Sequence, residues 1–426
     1  MTKQLNTIDY AAEKDKKDPL ARFAKEFYIQ KGKTYLDGNS LGLLSKRSEQ
    51  SVIKLLEAWK THAIDGWSDT QQPWFTLSET IGAKMANLIG ANAHEVIATG
   101  STTINLHQLL ATFYEPTDKK PFILSETLNF PTDIYAMQSH LKIHGLHSEK
   151  HLKLIKSEDG YTLSEDAIIE AMTDDIKIII LSSVLYRSGQ LLNMRKLTTA
   201  AHERGILIGF DLCHSIGSVP HQLSEMGVDF AFWCTYKHLN GGPGSVAGLY
   251  VNERHHAKTP GLLGWFGSDK QVQFDMEPTF TKAAGAGAYQ LGTPHLLSLS
   301  PLIGSLELIE EAGIGPMREK SLNLTQYLRD LLESLPETTN LLIRTPKNDE
   351  RRGGHILIEH PEAARICKAL KSEGIIPDFR SPNGIRIAPV ALYNSYSDVL
   401  HCALTLATIL KNRTYKNYEN TRGVIA

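Results

Sequence analysis

The chain has 426 residues, 42% of them hydrophobic and 22% charged, which is typical of a soluble globular protein and excludes a disordered or fibrous chain. Its 45 basic and 47 acidic residues give a net charge of −2, so no electrostatic attraction to nucleic acid or to an anionic membrane is expected. No apolar run is long enough to span a membrane, and the polar N-terminus does not resemble a secretory signal. We therefore expect a cytoplasmic protein whose four cysteines are buried reduced thiols rather than disulfides or zinc ligands.

Strand-like and helix-like segments alternate along the first two thirds of the chain. Residues 1–50 are mixed and are expected to pack on the small domain described below, and a helix is predicted around residues 47–59. Apolar runs without alternation, typical of strands covered on both faces, lie at residues 122–125, 176–182, 206–211, 228–234 and 246–251. Helical patterns separate them, at residues 163–172 and 194–203. This order predicts an α/β fold whose mostly parallel sheet has helices on both faces.

The pattern changes after Thr293 and Pro294. A long amphipathic stretch over residues 301–335 predicts one or two helices. Two strands and a final helix follow, at residues 355–359, 384–388 and 397–411. These elements predict a second, smaller α+β unit. The chain is therefore divided into an N-terminal segment, a large domain and a small C-terminal domain, at residues 1–50, 51–300 and 301–426.

Two of the predicted strands lead into polar side chains. Asp211 ends one of them, and Tyr236 and Lys237 follow the other. The carboxyl ends of parallel strands form the ligand-binding edge of open α/β sheets. An acid and a lysine there suit pyridoxal phosphate (PLP), because the lysine amine forms an imine with the aldehyde and the carboxylate keeps the pyridine nitrogen protonated. His214, three residues after Asp211, is a candidate for orienting the ring, with a core histidine as the alternative. The alternatives are a solvated strand end for the lysine and a helix cap for the aspartate.

Small residues at 100–103 precede a helical run and predict an anion site. Free N–H groups at the start of a helix bind phosphate together with hydroxyls, so the hydroxyl residues of this stretch are candidate ligands. An ordinary helix cap is the alternative. Phe130 is placed to stack on a flat ring and Asp133 to accept hydrogen bonds, although a helix that starts with proline explains the same tetrapeptide.

Arg386 lies inside an apolar strand of the small domain and needs a partner there. A substrate carboxylate held by the two-pronged guanidinium is one candidate, and a structural salt bridge is the other. Trp67, Trp74, Trp265 and Phe266 are candidates for an aromatic substrate pocket, with core packing as the alternative. No histidines or cysteines show metal-ligand spacing, so no metal site is predicted.

A series of motifs extends over nearly the whole chain: LDGNSLGLL (36–44), TTINLH (102–107), FPTD (130–133), YRSGQ (186–190), DLCHSIG (211–217), CTYKHLNGGPGS (234–245), GWFG (264–267), LGTP (291–294) and the strand of Arg386. With these motifs the chain resembles kynureninase, within the PLP-dependent fold type I, class V aminotransferase-like group to which cysteine desulfurases also belong. YKHLNGGPG together with GWFG is specific, whereas DLCHS marks only the wider group. His238 stands where tyrosine is usual, and Ser188 where threonine is usual.

The resemblance implies a role for each matching residue. Lys237 would carry PLP, Asp211 would bond its pyridine nitrogen beside His214, and Tyr236 would act with them in catalysis. The further cofactor contacts implied are Thr102, Thr103 and Tyr236 at the phosphate, Phe130 on the ring, Asp133 and Ser188 around it, and Trp265 and Thr293 from around the dimer interface. The substrate contacts implied are Arg386 at the α-carboxylate, Ser40 and Trp67.

The resemblance also implies an activity. L-kynurenine or 3-hydroxykynurenine would be hydrolysed at Cβ–Cγ to anthranilate or 3-hydroxyanthranilate and L-alanine, with Lys237 removing the α-proton and Tyr236 protonating Cβ. The preference between the two substrates stays open. A cytoplasmic homodimer with sites at the interface is implied, in the kynurenine pathway of tryptophan catabolism or of NAD biosynthesis.

Other functions stay open as alternatives. A cysteine desulfurase needs an exposed nucleophilic cysteine after the lysine, but Cys367 and Cys402 lie on predicted helix faces. An aminotransferase of the same fold would transfer the amino group to pyruvate. A non-catalytic regulator and a purely structural α/β protein are the two alternatives in which Lys237 carries out no chemistry.

Overall fold

Apolar runs of the sequence form the strands. The computed structural model describes residues 5–423. In chain order the strands there are β1 (Thr34–Tyr35), β2 (Val96–Ala98), β3 (Phe122–Glu126), β4 (Leu152–Ile155), β5 (Ile176–Ser182), β6 (Leu207–Asp211), β7 (Phe230–Trp233), β8 (Gly248–Val251), β9 (Leu342–Ile343), β10 (Ile356–Glu359), β11 (Ile375–Ile376), β12 (Asp378–Arg380) and β13 (Gly384–Ile387).

Helices separate most of these strands. In chain order they are α1 (Ile8–Lys17), α2 (Lys46–His62), α3 (Leu77–Ile89), α4 (Thr102–Phe113), α5 (Pro131–Ile143), α6 (Ser148–His151), α7 (Glu165–Glu170), α8 (Met194–His202), α9 (Leu223–Met226), α10 (Leu296–Ala312), α11 (Ile314–Ser334), α12 (Ala363–Ser372) and α13 (Tyr396–Asn412). The amphipathic stretch predicted as one or two helices is α10 and α11, which are divided at Gly313 with φ of 78°. Among the helices of residues 5–423, none combines the length and the apolar character that crossing a membrane requires.

The large sheet confirms the predicted α/β class. Its strand order is β2-β8-β7-β6-β5-β3-β4. Strands β4, β3, β5, β6 and β7 run parallel, whereas β8 is antiparallel to both of its neighbours. Alternate residues of β5 enter different cores, Ile178 and Ile180 on one face and Ile179 and Leu181 on the other. Because both faces are buried, residues 178–181 of β5 are all apolar, which explains the lack of alternation in this part of its sequence.

A second sheet, of order β12-β13-β10-β9 and antiparallel pairing, has its own core with α11, α12 and α13. The N-terminal segment joins this core, since Ala11 of α1 lies in it and β1 pairs with β11. Helix α10 runs across the boundary expected at residue 300, and its Leu302 and Leu306 lie in the core of the large sheet. The division of the chain at residues 50 and 300 remains a prediction.

Candidate active site

Polar side chains gather where the parallel strands of the large sheet end. Glu126 ends β3, Ser182 ends β5 and Asp211 ends β6, while Tyr236 and Lys237 follow β7. These strands are adjacent and parallel, so their carboxyl ends meet at one edge. A cavity of about 320 Å³ opens there. Eight residues predicted from the sequence line it: Thr102, Thr103, Phe130, Asp133, Asp211, His214, Tyr236 and Lys237.

Lys237 is held by a neutral histidine. Its Nζ lies 2.8 Å from Nε2 of His214 and 5.9 Å from the centre of the Phe130 ring. Burial, and next the charge of Lys237, lower the pKa of His214 well below its usual value, so the imidazole accepts a hydrogen bond from the amine. In residues 5–423 the other ring nitrogen of His214 has no hydrogen-bond partner. The neutral imidazole therefore holds the lysine in place without adding a second positive charge beside it.

Two buried carboxyl groups, of Asp211 and Asp133, line the cavity, and a third, of Glu126, ends β3 close enough to act on Asp133. Oδ1 of Asp211 accepts a hydrogen bond from the N–H of Cys213 at 2.7 Å, and burial raises its pKa although Lys237 opposes the shift. Burial, followed by the charges of Asp211 and Glu126, raises the pKa of Asp133 well above its usual value. Within the described part of the chain neither carboxyl oxygen of Asp133 has a partner. Such costly groups call for a ligand with hydrogen-bond donors or positive charge.

The start of α4 forms one wall of the cavity. Ser101 is its N-cap and accepts a hydrogen bond from the N–H of Ile104, and the Thr103 hydroxyl lies 2.8 Å from that of Thr132. Because the first N–H groups of a helix lack partners within it, they attract anions. Tyr236 lines both this cavity and an adjoining one of about 430 Å³. Burial raises the pKa of its phenol.

This set of groups fits PLP. The Lys237 amine suits the aldehyde, the Asp211 carboxylate suits the pyridine nitrogen, and the start of α4 suits the phosphate. The unpartnered oxygens of Asp133 add acceptors that the described part of the protein leaves unsatisfied. Phe130, 41% exposed, offers a free ring face for stacking. Among residues 5–423 no cluster of three or more metal-ligating side chains is suited to a metal ion.

Arg386 is fully buried at the side of this site. Its Nε donates to Oδ2 of Asp378 at 2.6 Å, its Nη1 to the carbonyl oxygen of Tyr186 at 2.6 Å, and its Nη2 to Oγ of Ser40 at 3.0 Å. The Tyr186 ring packs edge-on against Phe130, with centroids 5.4 Å apart. Tyr186 thus connects the arginine to the wall of the cavity, and the partly exposed Ser40 lies at the Nη2 end of the buried guanidinium.

The remaining predicted residues lie elsewhere. Ser188 is fully buried, and its Oγ accepts a hydrogen bond from the N–H of Gln190 at 3.3 Å. Trp67 packs edge-on against Trp74 and lines an apolar groove of about 640 Å³. Thr293 lines this groove and the cavity that adjoins Tyr236.

Trp265 is 47% exposed, and its indole N–H donates to the carbonyl oxygen of Gln273 at 3.4 Å. It does not line the cavity that contains Lys237. Trp67, Trp265 and Ser188 are therefore not brought to the cofactor cavity by their own chain.

Sequence reasoning missed several residues of the site. Glu126 lies one position past the strand predicted at 122–125. Extending the predicted strand by one residue would therefore have placed Glu126 at the edge of the sheet. Cys213 lines the cavity, and its position between Asp211 and His214 in the DLCHSIG motif was a signal for it. Arg380 shares a carboxylate with Arg386, and nothing in the linear sequence points to that contact. All four cysteines are free and buried, as predicted.

Relatives named kynureninase match along the whole chain. The protein of Shouchella clausii (strain KSM-K16) is 59% identical over 420 residues, covering 99% of this chain and 98% of the relative. The protein of Bacillus anthracis matches with the same identity and coverage. That of Geobacillus thermodenitrificans (strain NG80-2) is 57% identical over 420 residues, again covering 99% of this chain and 98% of the relative. The family described as "Kynureninase C-terminal domain" matches residues 317–406.

Solved structures with a similar fold have much lower sequence identity. A cysteine desulfurase from Thermococcus onnurineus NA1 superposes with a TM-score of 0.78 at 18% identity, covering 92% of this chain and 98% of that one. The cystine C–S lyase C-DES, in complex with cysteine persulfide, has a TM-score of 0.77 at 18% identity, covering 88% of this chain and 97% of that one. At this identity the likeness shows the fold alone.

Proposed function

Because this chain belongs to the kynureninase family, we propose that the cavity at the edge of its large sheet hydrolyses the Cβ–Cγ bond of L-kynurenine. The fold is that of the PLP-dependent fold type I enzymes, and the cofactor is PLP. The products are anthranilate and L-alanine, or 3-hydroxyanthranilate and L-alanine from 3-hydroxykynurenine. The meeting of Lys237, Asp211 and His214 in one cavity of about 320 Å³ is the observation that carries the proposal.

When bound, PLP withdraws electrons from the substrate carbons next to the amine, which allows the Cβ–Cγ bond to break. Lys237 would hold the cofactor through its amine, and its Nζ would take up the α-proton of the substrate. His214, 2.8 Å from that Nζ, keeps the amine aligned. Asp211 would hold the pyridine nitrogen and keep it protonated through its negative charge.

Tyr236 is the candidate proton donor to Cβ. Its raised pKa, caused first by burial, keeps the phenol protonated at neutral pH. It lines the same cavity as Lys237 and the start of α4, so it borders the site that we propose for the phosphate and the substrate. A positioned general acid typically contributes about 10²–10⁴-fold to the rate.

Arg386 and Ser40 orient the substrate. The buried guanidinium takes the α-carboxylate next to Ser40, whose Oγ it already contacts at 3.0 Å. Tyr186 links this position to Phe130 at the cavity wall. A substrate held by its carboxylate therefore keeps its amine and α-carbon at Lys237, which converts binding energy into orientation.

A homodimer explains where the other predicted residues lie. Trp67 and Thr293 line an apolar groove with the exposed side chains of Trp59, Ile64 and Leu297. Burying such a surface is favourable. In the proposed dimer Trp265 and Thr293 complete the partner's cofactor site. The enzyme is further proposed to act in the cytoplasm, in the kynurenine pathway of tryptophan catabolism or of NAD biosynthesis.

The proposal is tested with the purified holoenzyme. We expect a visible cofactor absorbance and, with L-kynurenine or 3-hydroxykynurenine, the fluorescence of anthranilate or 3-hydroxyanthranilate together with L-alanine. The ratio of kcat/KM for the two substrates gives the preference. Formation of a keto acid coupled to alanine production from pyruvate, without an anthranilate, would instead identify an aminotransferase and refute the proposal.

A further inference from the structure

Three charged side chains face the same side of the small sheet. Asp378 and Arg380 lie two residues apart on β12, and Arg386 is directly opposite Asp378 on β13. Residues two apart on a strand share a face, and so do opposed residues of an antiparallel pair. The carboxylate of Asp378 therefore lies between two guanidinium groups.

Both arginines use the same carboxylate oxygen. Oδ2 of Asp378 accepts from Nε of Arg386 at 2.6 Å and from Nε of Arg380 at 2.9 Å. The side chains of Asp378 and Arg386 are 1% and 0% exposed, whereas that of Arg380 is 30% exposed. The fully buried pair is neutral by itself. It therefore has no net positive charge to offset the desolvation free energy of an incoming carboxylate.

A further acid makes the net charge of this cluster less favourable for a carboxylate. Asp37 lies close enough to Asp378 and to both arginines to feel their charges, and within residues 5–423 its Oδ1 has no hydrogen-bond partner. Each ionised acid in the cluster repels a substrate carboxylate, by more in a buried site than in water. A second cation is therefore needed: it gives the cluster a net positive charge while Asp37 is protonated, and leaves the cluster neutral instead of negative once Asp37 ionises.

Arg380 supplies this cation at the right place. Its Nη2 lies 3.4 Å from Oγ of Ser40, and Nη2 of Arg386 lies 3.0 Å from the same oxygen. Ser40 is partly exposed, so the two guanidinium groups converge on a point that a ligand can reach. A guanidinium offers paired N–H groups that match a carboxylate.

From this geometry we propose that Arg380 and Arg386 together bind the α-carboxylate of the substrate at Ser40, while Asp378 positions both guanidinium groups. The proposal rests on the proposed function, which supplies an α-amino acid as the substrate. It makes Arg380 a second carboxylate-binding residue. The site then selects α-amino acids over the corresponding amines that lack the carboxylate.

The experiment compares holoenzymes of the wild type, Arg380→Gln and Arg380→Lys. Arg344→Gln is the matched control, because Arg344 pairs with Glu359 in the same small sheet and is 34% exposed. For Arg380→Gln we expect a KM for L-kynurenine raised about 10- to 100-fold, as for the loss of a charge-assisted contact. The kcat should change by less than about 3-fold, since the lost contact is equally strong before and during the reaction. Arg380→Lys should be intermediate, and Arg344→Gln should match the wild type.

Two further measurements distinguish direct binding by Arg380 from an indirect effect of its charge on the cluster. L-alanine binding, followed by the cofactor absorbance, should weaken in Arg380→Gln, whereas binding of decarboxylated kynurenine should not. The double variant Asp378→Asn/Arg380→Gln keeps the net charge of the cluster, and its KM should stay high. A normal KM in Arg380→Gln, or its recovery in the double variant, overturns direct binding by Arg380. The L-alanine measurement remains valid even if the wild type fails to release anthranilate, which would refute only the proposed function.

Discussion

The amine of Lys237 lies 2.8 Å from Nε2 of His214, although 23 positions separate the two residues in the chain. His214 follows β6 and Lys237 follows β7, and these neighbouring strands are parallel. The contact therefore results directly from the sheet order. Because burial keeps the imidazole neutral, it accepts a hydrogen bond from the amine without adding charge to a cavity that already contains buried carboxyl groups.

Replacing Lys237 by alanine should remove both the covalent attachment of the cofactor and the group that moves the α-proton. We expect loss of the cofactor absorbance of the attached form and a decrease of kcat by at least about 10²–10⁴-fold, the contribution of a positioned acid or base. Lys153→Ala, which removes a half-exposed lysine paired with Asp175, is the control and should behave like the wild type. Normal turnover in Lys237→Ala would refute the assignment.

Asp211→Asn should keep the shape of the site and remove its charge. Without a carboxylate beside it the pyridine nitrogen loses its proton more easily, so the electron-withdrawing power of the cofactor decreases. We expect PLP to remain bound while kcat decreases by roughly 100-fold, the lower range for a proton-transfer partner. Absorbance spectra and kcat, measured on the same preparation, check both parts. An unchanged kcat with bound PLP would contradict the role of Asp211.

Glu126 should make the protein less stable as the pH rises. Burial raises its pKa from 4.5 to about 8, so the folded state favours the protonated form. This contribution to stability is fully present below pH 4.5 and is lost as the pH rises towards 8. In Glu126→Gln this position cannot ionise. The free energy of unfolding of the variant minus that of the wild type should therefore increase by on the order of 3 kcal/mol between about pH 5 and pH 8. Parallel stability curves for the two proteins over this range would show that Glu126 titrates normally.

Asp37 should make substrate binding depend on pH. Burial, and next the charge of Asp378, raise its pKa to about 6, while Ser40, Arg386 and Arg380 lower it. Tyr35 and Cys367 are other titratable groups on which the charges of both Asp37 and Asp378 act. As the pH rises through 6, Asp37 gains a negative charge that repels the substrate carboxylate.

The KM for L-kynurenine should therefore increase on the order of 10-fold from about pH 5.5 to pH 7.5 in the wild type, as for two like charges in a partly buried site. In Asp37→Asn this increase should be absent. A pH profile of KM for both proteins checks this, and identical profiles would exclude Asp37 as its cause.

The proposed dimer predicts that two inactive variants restore each other. If Trp265 contributes to the partner's site, each site combines Lys237 of one subunit with Trp265 of the other. Lys237→Ala and Trp265→Ala then remove the contributions of different subunits. Co-expression of the two variants should produce heterodimers with one intact site, and about one quarter of the wild-type activity if the subunits pair at random. Mixtures that are no more active than the separate variants would mean that Trp265 acts within its own chain or not at all.

Much of the fold follows from local patterns. The apolar run at residues 176–182 predicts a strand and forms β5 over Ile176–Ser182, because a segment buried on both faces carries few polar residues. The sequence patterns do not predict strands β4 and β2. Strand β4, at the edge of the sheet, is mostly half-exposed, and β2 has only three residues, so neither has a pattern distinct from that of a loop.

The candidate site also has a part that the sequence predicts and a part that only the tertiary structure decides. Asp211 and Lys237 can be identified from the linear sequence because each comes at or just after the end of a strand, and parallel strands bring their ends to one edge. The sharing of Asp378 between Arg380 and Arg386 depends on the register of β12 against β13, which nothing in the linear order of residues specifies. The position of Trp265 outside its own cavity likewise depends on how distant segments pack. Local propensity and burial act on neighbours in the chain, whereas these contacts arise only once the tertiary fold has brought remote residues within bonding distance.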